Sequence, residues 1–367
     1  MVRTRHLRVG RVLEVVAAFA LAAITLVWGM PRTAGAEWHT IGHVLGVVGP
    51  GTLALVTAVW LAGLAVHTVA LSAALPGLSH PRAFFLNITG SSVSNLLPLG
   101  GAAGTVVNWW TARAWGFPTP AFVRWALVTN IWDVLGRLAV PGLALAWLAA
   151  SGHGDGDALA GAAAGAAGVL ALLVVVTVLL LRGDTGARVV GRQAARLLRT
   201  LPDARQRDLG DQEQQAVEVR RSMAALIGTA WRGLTLGKAL YAVSQAALLW
   251  LCLHAVGADP GLPVVVAAFA AERVLSLAVI TPGAAGIVEV GMTGFLARLG
   301  TTPVDAAAGV LLYRTFVVGM EVPVGGALLA WWTGATLRRR RRAAAPAVAE
   351  DVADVIEAGF GESRDRR

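Results

Sequence analysis

The sequence predicts an all-α, polytopic membrane protein with six full transmembrane helices and two interrupted or re-entrant helical hairpins in an inverted repeat. Hydrophobic residues make up 56% of the chain and charged residues 14%, whereas a soluble domain carries about 25% charged residues. The apolar residues form runs of about 20, the length that crosses a hydrocarbon core of about 30 Å as a helix. A membrane barrel would instead alternate in segments of about 10 residues, so these runs favour helices.

Six apolar runs predict the full transmembrane helices. They are residues 12–30, 52–75, 121–149, 160–181, 236–256 and 304–334. Two further stretches, residues 83–113 and 263–298, are apolar but are broken near the middle by proline and glycine. Each broken stretch is either a re-entrant hairpin or a pair of tilted spans.

The positions of arginine predict the orientation in the membrane. Arginines cluster at the N-terminus, between residues 182 and 207, and in the run 338–342. Because positive charge favours the cytoplasmic side, both termini and the loop after residue 181 are expected to be cytoplasmic. The protein is therefore expected in the cytoplasmic membrane as a multi-pass protein.

The same orientation predicts an internal repeat. Helix 160–181 separates two units, residues 52–149 and residues 236–334, which then begin on opposite sides of the membrane. Each unit contains one of the broken stretches. Inverted repeats with interrupted helices place the binding site of many transporters near the bilayer midplane, so a site is expected between the two units.

The N-terminal run permits a second interpretation. Basic residues, an apolar stretch and Ala34-Gly35-Ala36 together resemble a secretory signal with a cleavage site. The run is longer than the apolar region of about 7–15 residues in a typical signal. This length favours a retained helix.

The chain divides into a membrane domain and a tail. Residues 1–337 are expected to form the integral membrane domain, and residues 338–367 a basic, then charged, disordered cytoplasmic tail. Within the membrane domain, residues 182–232 are expected to be cytoplasmic. Their portion 188–201 separates apolar residues from arginines at about 100° per residue, which indicates an amphipathic helix that lies on the leaflet or packs on another loop.

A glycine motif recurs in the two broken stretches. Gly-Ala-Ala-Gly occurs at Gly101 to Gly104 and at Gly283 to Gly286, each time after a proline. Small residues at this spacing allow close helix packing. A break that exposes backbone groups to a ligand is the other interpretation, favoured by the recurrence and by the polar residues near both copies.

Ionisable residues inside predicted spans are candidates for function, because each is costly in a bilayer. Asp133 and Arg137 are one helical turn apart, which also allows a simple intrahelical ion pair; Arg314 and Glu321 are two turns apart on one face. Glu289 follows the second glycine motif, where a helix N-terminus attracts negative charge. The candidate ligand-binding residues are Asn95, Gly101, Gly104, Asp133, Arg137, Arg273, Gly283, Gly286, Glu289 and Arg314.

Motifs of familiar enzymes are not found in the sequence. It contains no Walker A loop, H-E-x-x-H zinc motif or serine nucleophile elbow. His39 and His43 are four residues apart, but this placement is expected to be incidental. No catalytic residue, metal site or cofactor is therefore predicted, and the chain is expected not to be an enzyme.

Two motifs carry a resemblance to a known family. The chain resembles the transmembrane region of lysylphosphatidylglycerol synthases, also called flippase-like. The residues that carry the resemblance are Asn95-Leu96-Leu97-Pro98 leading into the first glycine motif, Asp133, the stretch Thr281 to Glu289, and Arg314. The resemblance covers about residues 50–335. It implies a membrane domain that moves a lipid across the bilayer. The residues after 342 are too few for the soluble aminoacyl-transferase domain of the synthases, so synthase activity is not implied.

Three functions follow as hypotheses. The first is a translocator, without its own energy source, that holds an anionic phospholipid or lipid-linked headgroup near the midplane. The alternative is a non-transporting partner or scaffold of a lipid or glycan biosynthesis enzyme. An integral-membrane lipid transferase is less favoured, because no nucleophile or metal cluster supports it. Nucleic acid is not an expected partner.

Overall fold

The computed structural model describes residues 15–98, 100–152, 156–199, 212–277 and 280–338. Within these ranges the chain is helical and has no strand. Six of the described helices are long and apolar enough to cross a membrane, which confirms the predicted class. The N-terminal arginines, the tip of the loop after residue 152 and all but the first residue of the predicted tail lie outside the described residues.

The helices follow one another in twelve segments along the described chain. They are α1 (Val15–Ala34), α2 (Trp38–Gly46), α3 (Pro50–Ala74), α4 (His80–Leu96), α5 (Gly101–Ala114), α6 (Thr119–Ala150), α7 (Gly156–Arg182), α8 (Asp184–Arg199), α9 (Gln212–Ala255), α10 (Leu262–Leu275), α11 (Ile287–Arg298) and α12 (Pro303–Arg338). The six potential spans are α1, α3, α6, α7, α9 and α12. Several helices begin with a proline in the first turn, where its missing N–H costs nothing.

One helix extends well beyond its predicted transmembrane span. Helix α9 begins at Gln212, before the span predicted from residue 236, and it has 44 residues. Its first part is rich in Glu, Gln, Ala and Arg, which are strong helix formers. A buried apolar side of this part, including Met223 and Leu226, packs into a core cluster with α3 and α6. Hydropathy reports only the membrane portion of such a helix, so the extension escapes it.

The described part of the segment predicted to be cytoplasmic therefore contains α8 and the beginning of α9. Asp184, at the start of α8, accepts hydrogen bonds from Arg220 at 2.5 Å and Arg221 at 3.0 Å on α9. The hydrogen bond from Arg221 lowers the pKa of the Asp184 carboxyl below its usual value. These contacts hold the α7–α8 junction against α9.

Each broken stretch folds as two short helices. Helices α4, α5, α10 and α11 have 17, 14, 14 and 12 residues, so each is about 18–26 Å long. All four are shorter than a hydrocarbon core of about 30 Å. The two helices of each pair contact each other. We call α4 with α5 the first hairpin, and α10 with α11 the second hairpin.

The two copies of the glycine motif have different roles. In the first hairpin Gly101 to Gly104 form the first turn of α5, and a Cβ on Gly104 would collide with the carbonyl oxygen of Gly90 on α4. In the second hairpin Gly283 and Gly286 have φ values of 57° and 82°, which favour glycine. The first copy thus serves close packing, and the second copy breaks the helix.

Helix α1 is part of the core. Met30 is fully buried and Ala34 is 3% exposed in the main apolar cluster. The side chain of Thr293 on α11 lies 3.5 Å from the sulfur of Met30. Helix α1 therefore packs on α11 and contributes side chains to the main apolar cluster.

Candidate binding cavity between the interrupted helices

A cavity of about 550 Å³ lies between the two hairpins, and α3, α6, α9 and α12 complete its wall. Most of the predicted site residues line it: Asn95, Gly101, Gly104, Asp133, Arg137, Arg273, Gly283 and Arg314. Gly286 and Glu289 are not in the lining. The structure therefore brings together residues that are more than 200 positions apart in the sequence.

Helix α12 meets both breaks at its middle. In the first hairpin, Asn95 Nδ2 donates to Glu321 Oε2 at 3.1 Å, and Ser92 Oγ donates to the carbonyl oxygen of Val322 at 2.9 Å. In the second hairpin, Arg314 Nη2 donates to the carbonyl oxygen of Gly283 at 2.5 Å. The cavity consequently lies beside the centre of a helix that is long enough to span the membrane.

Arg314 binds the second hairpin rather than Glu321. Its Nε donates to Glu289 Oε1 at 2.8 Å, and its Nη1 lies 3.8 Å from Glu272 Oε1. Arg314 and Glu321 lie on one helix, but they point in different directions. Arg314 contacts the second hairpin, and Glu321 contacts the first hairpin. Arg314 is 5% exposed, and its guanidinium donates to both Glu289 and Gly283 of the second hairpin. It therefore acts mainly as a clamp, and the expected proximity to Glu321 does not produce a pair.

Glu289 lies in the first turn of α11, and its carboxylate occupies the N-terminus of that helix. The N–H of Gly286 donates to Glu289 Oε2 at 2.6 Å. Negative charge is favourable at this position, as the sequence predicts. The chain thus supplies a negative charge to this helix terminus itself, and neither Gly286 nor Glu289 lines the cavity.

Asp133 and Arg137 do not form the intrahelical ion pair that their spacing allows. Asp133 Oδ1 accepts a hydrogen bond from Lys238 Nζ on α9 at 2.6 Å. Arg137 Nη1 instead lies 3.4 Å from the hydroxyl of Ser276. Among the described residues, no carboxylate lies within 4 Å of Arg137. The cavity thus contains a half-buried cation that is not neutralised by an acid.

Sequence reasoning missed the residues around Lys238. His67 on α3 is 8% exposed; its Nε2 lies 2.9 Å from Lys238 Nζ, and its ring stacks on Tyr241 at 4.3 Å. A signal was present, because Lys238 is the single lysine of the sequence and lies within a predicted span. His67 likewise lies within a predicted span.

Amide groups add polar atoms to the cavity. Asn87 Nδ2 and Asn108 Oδ1 are buried and have no hydrogen-bond partner among the described residues, although both side chains line the cavity. Buried polar atoms are normally satisfied. These two atoms therefore lack a partner within the described part of the protein. Across the same residues, no three His, Cys, Asp or Glu side chains come together as metal ligands.

Comparison with known protein families gives a match over most of the chain. The family model described as the TM region of lysylphosphatidylglycerol synthase matches residues 15–325 of the chain. This match confirms the resemblance drawn from the two motifs and extends it to α1. No curated protein matches the sequence.

Proposed function

Because the chain belongs to the family of the lysylphosphatidylglycerol synthase TM region, we propose that it translocates an anionic phospholipid or lipid-linked headgroup across the cytoplasmic membrane. Membership in this family makes it a multi-pass membrane protein linked to lipid handling. The choice of translocation, and of an anionic headgroup, comes from the cavity. The proposal assigns no covalent chemistry to this chain.

The unneutralised charge of Arg137 carries the proposal. The other cations of the cavity each contact an acid: Lys238 contacts Asp133, Arg273 contacts Glu272, and Arg314 contacts Glu289. A guanidinium without a counter-ion is costly in a membrane interior, and it matches a phosphate by two parallel hydrogen bonds. An anionic headgroup beside Arg137 supplies the missing charge.

Glu321 also lacks a basic group within 4 Å among the described residues, but it differs from Arg137 in exposure. Glu321 is 5% exposed and accepts a hydrogen bond from Asn95. Arg137 is only half-buried. The cavity therefore offers more accessible surface of the cation than of the acid.

The position of the cavity opening supports a lipid rather than a soluble ligand. Thr105 on α5 and Asn130 on α6 line the cavity and are exposed. Large apolar side chains on the same two helices, Val106, Leu127 and Val134, are 60%, 43% and 47% exposed. A polar headgroup can enter between α5 and α6 while the acyl chains stay against this apolar surface.

We also propose that the hairpins enter the membrane from opposite faces as an inverted repeat. The tip of the first hairpin contacts α12 at Glu321. Near the outer ends of this hairpin, the ring centroids of Phe85 and Trp115 lie 5.9 and 6.2 Å from the ring centroid of Trp332. The second hairpin contacts Arg314 with its break, and its outer end joins the start of α12 through residues 299–302. The outer ends therefore lie at opposite ends of α12, which supports alternating access to the cavity.

A vesicle assay tests the function. Purified full-length protein is reconstituted into phosphatidylcholine vesicles that contain a trace of fluorescent phosphatidylglycerol, and an impermeant reductant bleaches the outer leaflet. We expect the protein to expose inner-leaflet label to the reductant. Arg137→Gln should slow this step by at least about tenfold, since a charged hydrogen bond contributes about 1.5–3 kcal/mol.

Arg298→Gln is the matched control, because Arg298 ends α11 outside the cavity lining. It should flip lipid at the wild-type rate. If wild-type protein flips no lipid in a panel of anionic, zwitterionic and glycosylated species, the proposal is wrong. A biosynthetic enzyme that copurifies with this inactive protein would then favour the scaffold hypothesis.

A further inference from the structure

Lys238 is the only lysine in a chain with 31 Lys and Arg residues, and it lies in the wall of the cavity. The other 30 residues of this set are all arginine. Arginine holds a carboxylate with a rigid fork of two hydrogen bonds, whereas lysine is a compact point charge on a flexible stem. The choice of lysine at this one position indicates a cation that can be released from its partner.

The contacts of Lys238 define the charge state of its surroundings. Its Nζ donates to Asp133 Oδ1 at 2.6 Å and lies 2.9 Å from His67 Nε2. Because an ammonium can only donate, His67 Nε2 accepts. The other ring nitrogen, Nδ1, then carries the proton and donates to Asn87 Oδ1 at 3.1 Å. His67 is thus neutral, and Lys238 with Asp133 has no net charge.

Accessibility differs sharply within this group. The side chain of Asp133 is 46% exposed, while that of Lys238 is 11% exposed. His67 is buried and is held by Tyr241 and Asn87. Asp133 is therefore the member that water in the cavity reaches, and the other two form a fixed background.

We propose that Asp133 is a proton-binding site that couples headgroup translocation to proton movement, with Lys238 as the cation that it releases. This inference rests on the proposed function. A proton from cavity water binds to the Asp133 carboxylate and cancels its charge. The ion pair with Lys238 is lost, the group gains one positive charge, and Lys238 joins Arg137 in attracting an anionic headgroup. When the headgroup leaves, the ion pair reforms and the proton returns to water.

A bound anionic ligand favours this exchange. Arg137 lies one turn along α6 from Asp133 and lines the same cavity. An anionic headgroup bound to Arg137 adds negative charge beside Asp133, which favours a proton on its carboxylate. The other titratable or charged groups that face the site are His67 on α3, Tyr241 on α9, the paired Glu272 and Arg273 on α10, and Arg314 and Glu321 on α12. Coupling between two binding events is reciprocal, so proton and headgroup must each strengthen the binding of the other.

Calorimetry of the full-length protein in detergent tests the coupling. The probe is dihexanoyl phosphatidylglycerol, titrated in two buffers that differ in ionisation enthalpy, so that proton uptake appears as a difference in heat. We expect wild-type protein to take up protons on binding. Its affinity should rise as the pH falls, by up to about tenfold per pH unit for one linked proton. The protein should take up fewer protons when it binds dihexanoyl phosphatidylcholine, which has no net charge.

Two variants make the test specific. Asp133→Asn removes the proposed proton site and leaves the other titratable groups in place, so its binding of the probe should depend less on pH and take up fewer protons than binding by the wild type. Lys238→Arg keeps the charge but holds Asp133 with a fork, and should reduce proton uptake. Wild-type binding without proton uptake, or uptake that is unchanged in Asp133→Asn, would overturn the proposal.

An infrared measurement separates this inference from the proposed function. A pH difference spectrum of ligand-free protein should contain a carboxylic acid band that is missing in Asp133→Asn. If this band is present but no lipid binds or flips, the translocation function fails and the proton site stands, without coupling. If lipid flips but neither the band nor proton uptake is found, the translocation function stands and the proton site is wrong.

Discussion

At the scale of single residues, Asp133 and Arg314 take partners from other helices rather than from their own. Asp133 pairs with Lys238 and Arg314 with Glu289, although Arg137 and Glu321 lie on the same helical faces. An interhelical pair neutralises a charge and also joins two segments. Arg314 thereby holds the break of the second hairpin against α12.

The clamp formed by Arg314 can be tested by its effect on stability. Arg314→Met leaves the buried carboxylate of Glu289 without a cation, and removing one partner of a buried pair costs about 3–5 kcal/mol. Thermal unfolding in detergent should therefore show strong destabilisation. Because removing a whole buried pair is often neutral, Arg314→Met with Glu289→Leu should recover much of the stability.

A second double variant serves as the comparison. Arg314→Met with Glu321→Leu should not recover stability, because Glu321 bonds to Asn95 and not to Arg314. Equal recovery in the two double variants would mean that Arg314 has no preferred acid. The assignment of Arg314 as a clamp on the second hairpin would then be wrong.

At the scale of structural elements, the same four-residue motif yields a helix start in one hairpin and a break in the other. Gly101 begins α5, and a Cβ at this position would meet no atom within 4 Å. Gly286 has a φ of 82°, and its Cβ would lie 2.8 Å from the Cβ of Thr25 and 2.9 Å from the carbonyl oxygen of Ala22 on α1. The difference arises from the neighbouring helix, not from the motif.

This contrast predicts opposite results for two alanine substitutions. Gly101→Ala should be neutral or stabilise the protein by up to about 1 kcal/mol, because alanine favours the helix. Gly286→Ala should destabilise it clearly, since both the backbone angle and the space are unsuitable. The melting temperatures of the two purified variants give the comparison. Similar values for both would indicate that the second motif does not need its break.

At the scale of the whole molecule, α12 is the shared wall of the two units and α9 links the core to the segment predicted to be cytoplasmic. The orientation in the membrane remains a prediction from the arginine clusters. Ser151 and Gln193 are both exposed and lie beyond opposite ends of α7. Cysteines at these two positions therefore report on opposite sides of the membrane.

Cysteine labelling of intact cells checks this orientation. In a Cys252→Ala background, Ser151→Cys should react with an impermeant maleimide from outside, whereas Gln193→Cys should react only after permeabilisation. Native Cys252 is fully buried, so its removal guards against slow background reaction. The reverse labelling pattern would invert the proposed topology.

The sequence by itself determined the class of the protein, the six apolar helices and the two broken stretches. These depend on the transfer of local segments into a bilayer, which composition and length report directly. Most of the site residues that it predicted line the cavity, because ionisable groups within apolar runs are rare. Only the tertiary structure decided which charges pair, that Arg137 is left without an acid, and that His67 and Lys238 stand beside Asp133. Those facts depend on which helix faces which across the bundle, and helical spacing along one segment contains no information about the segment opposite.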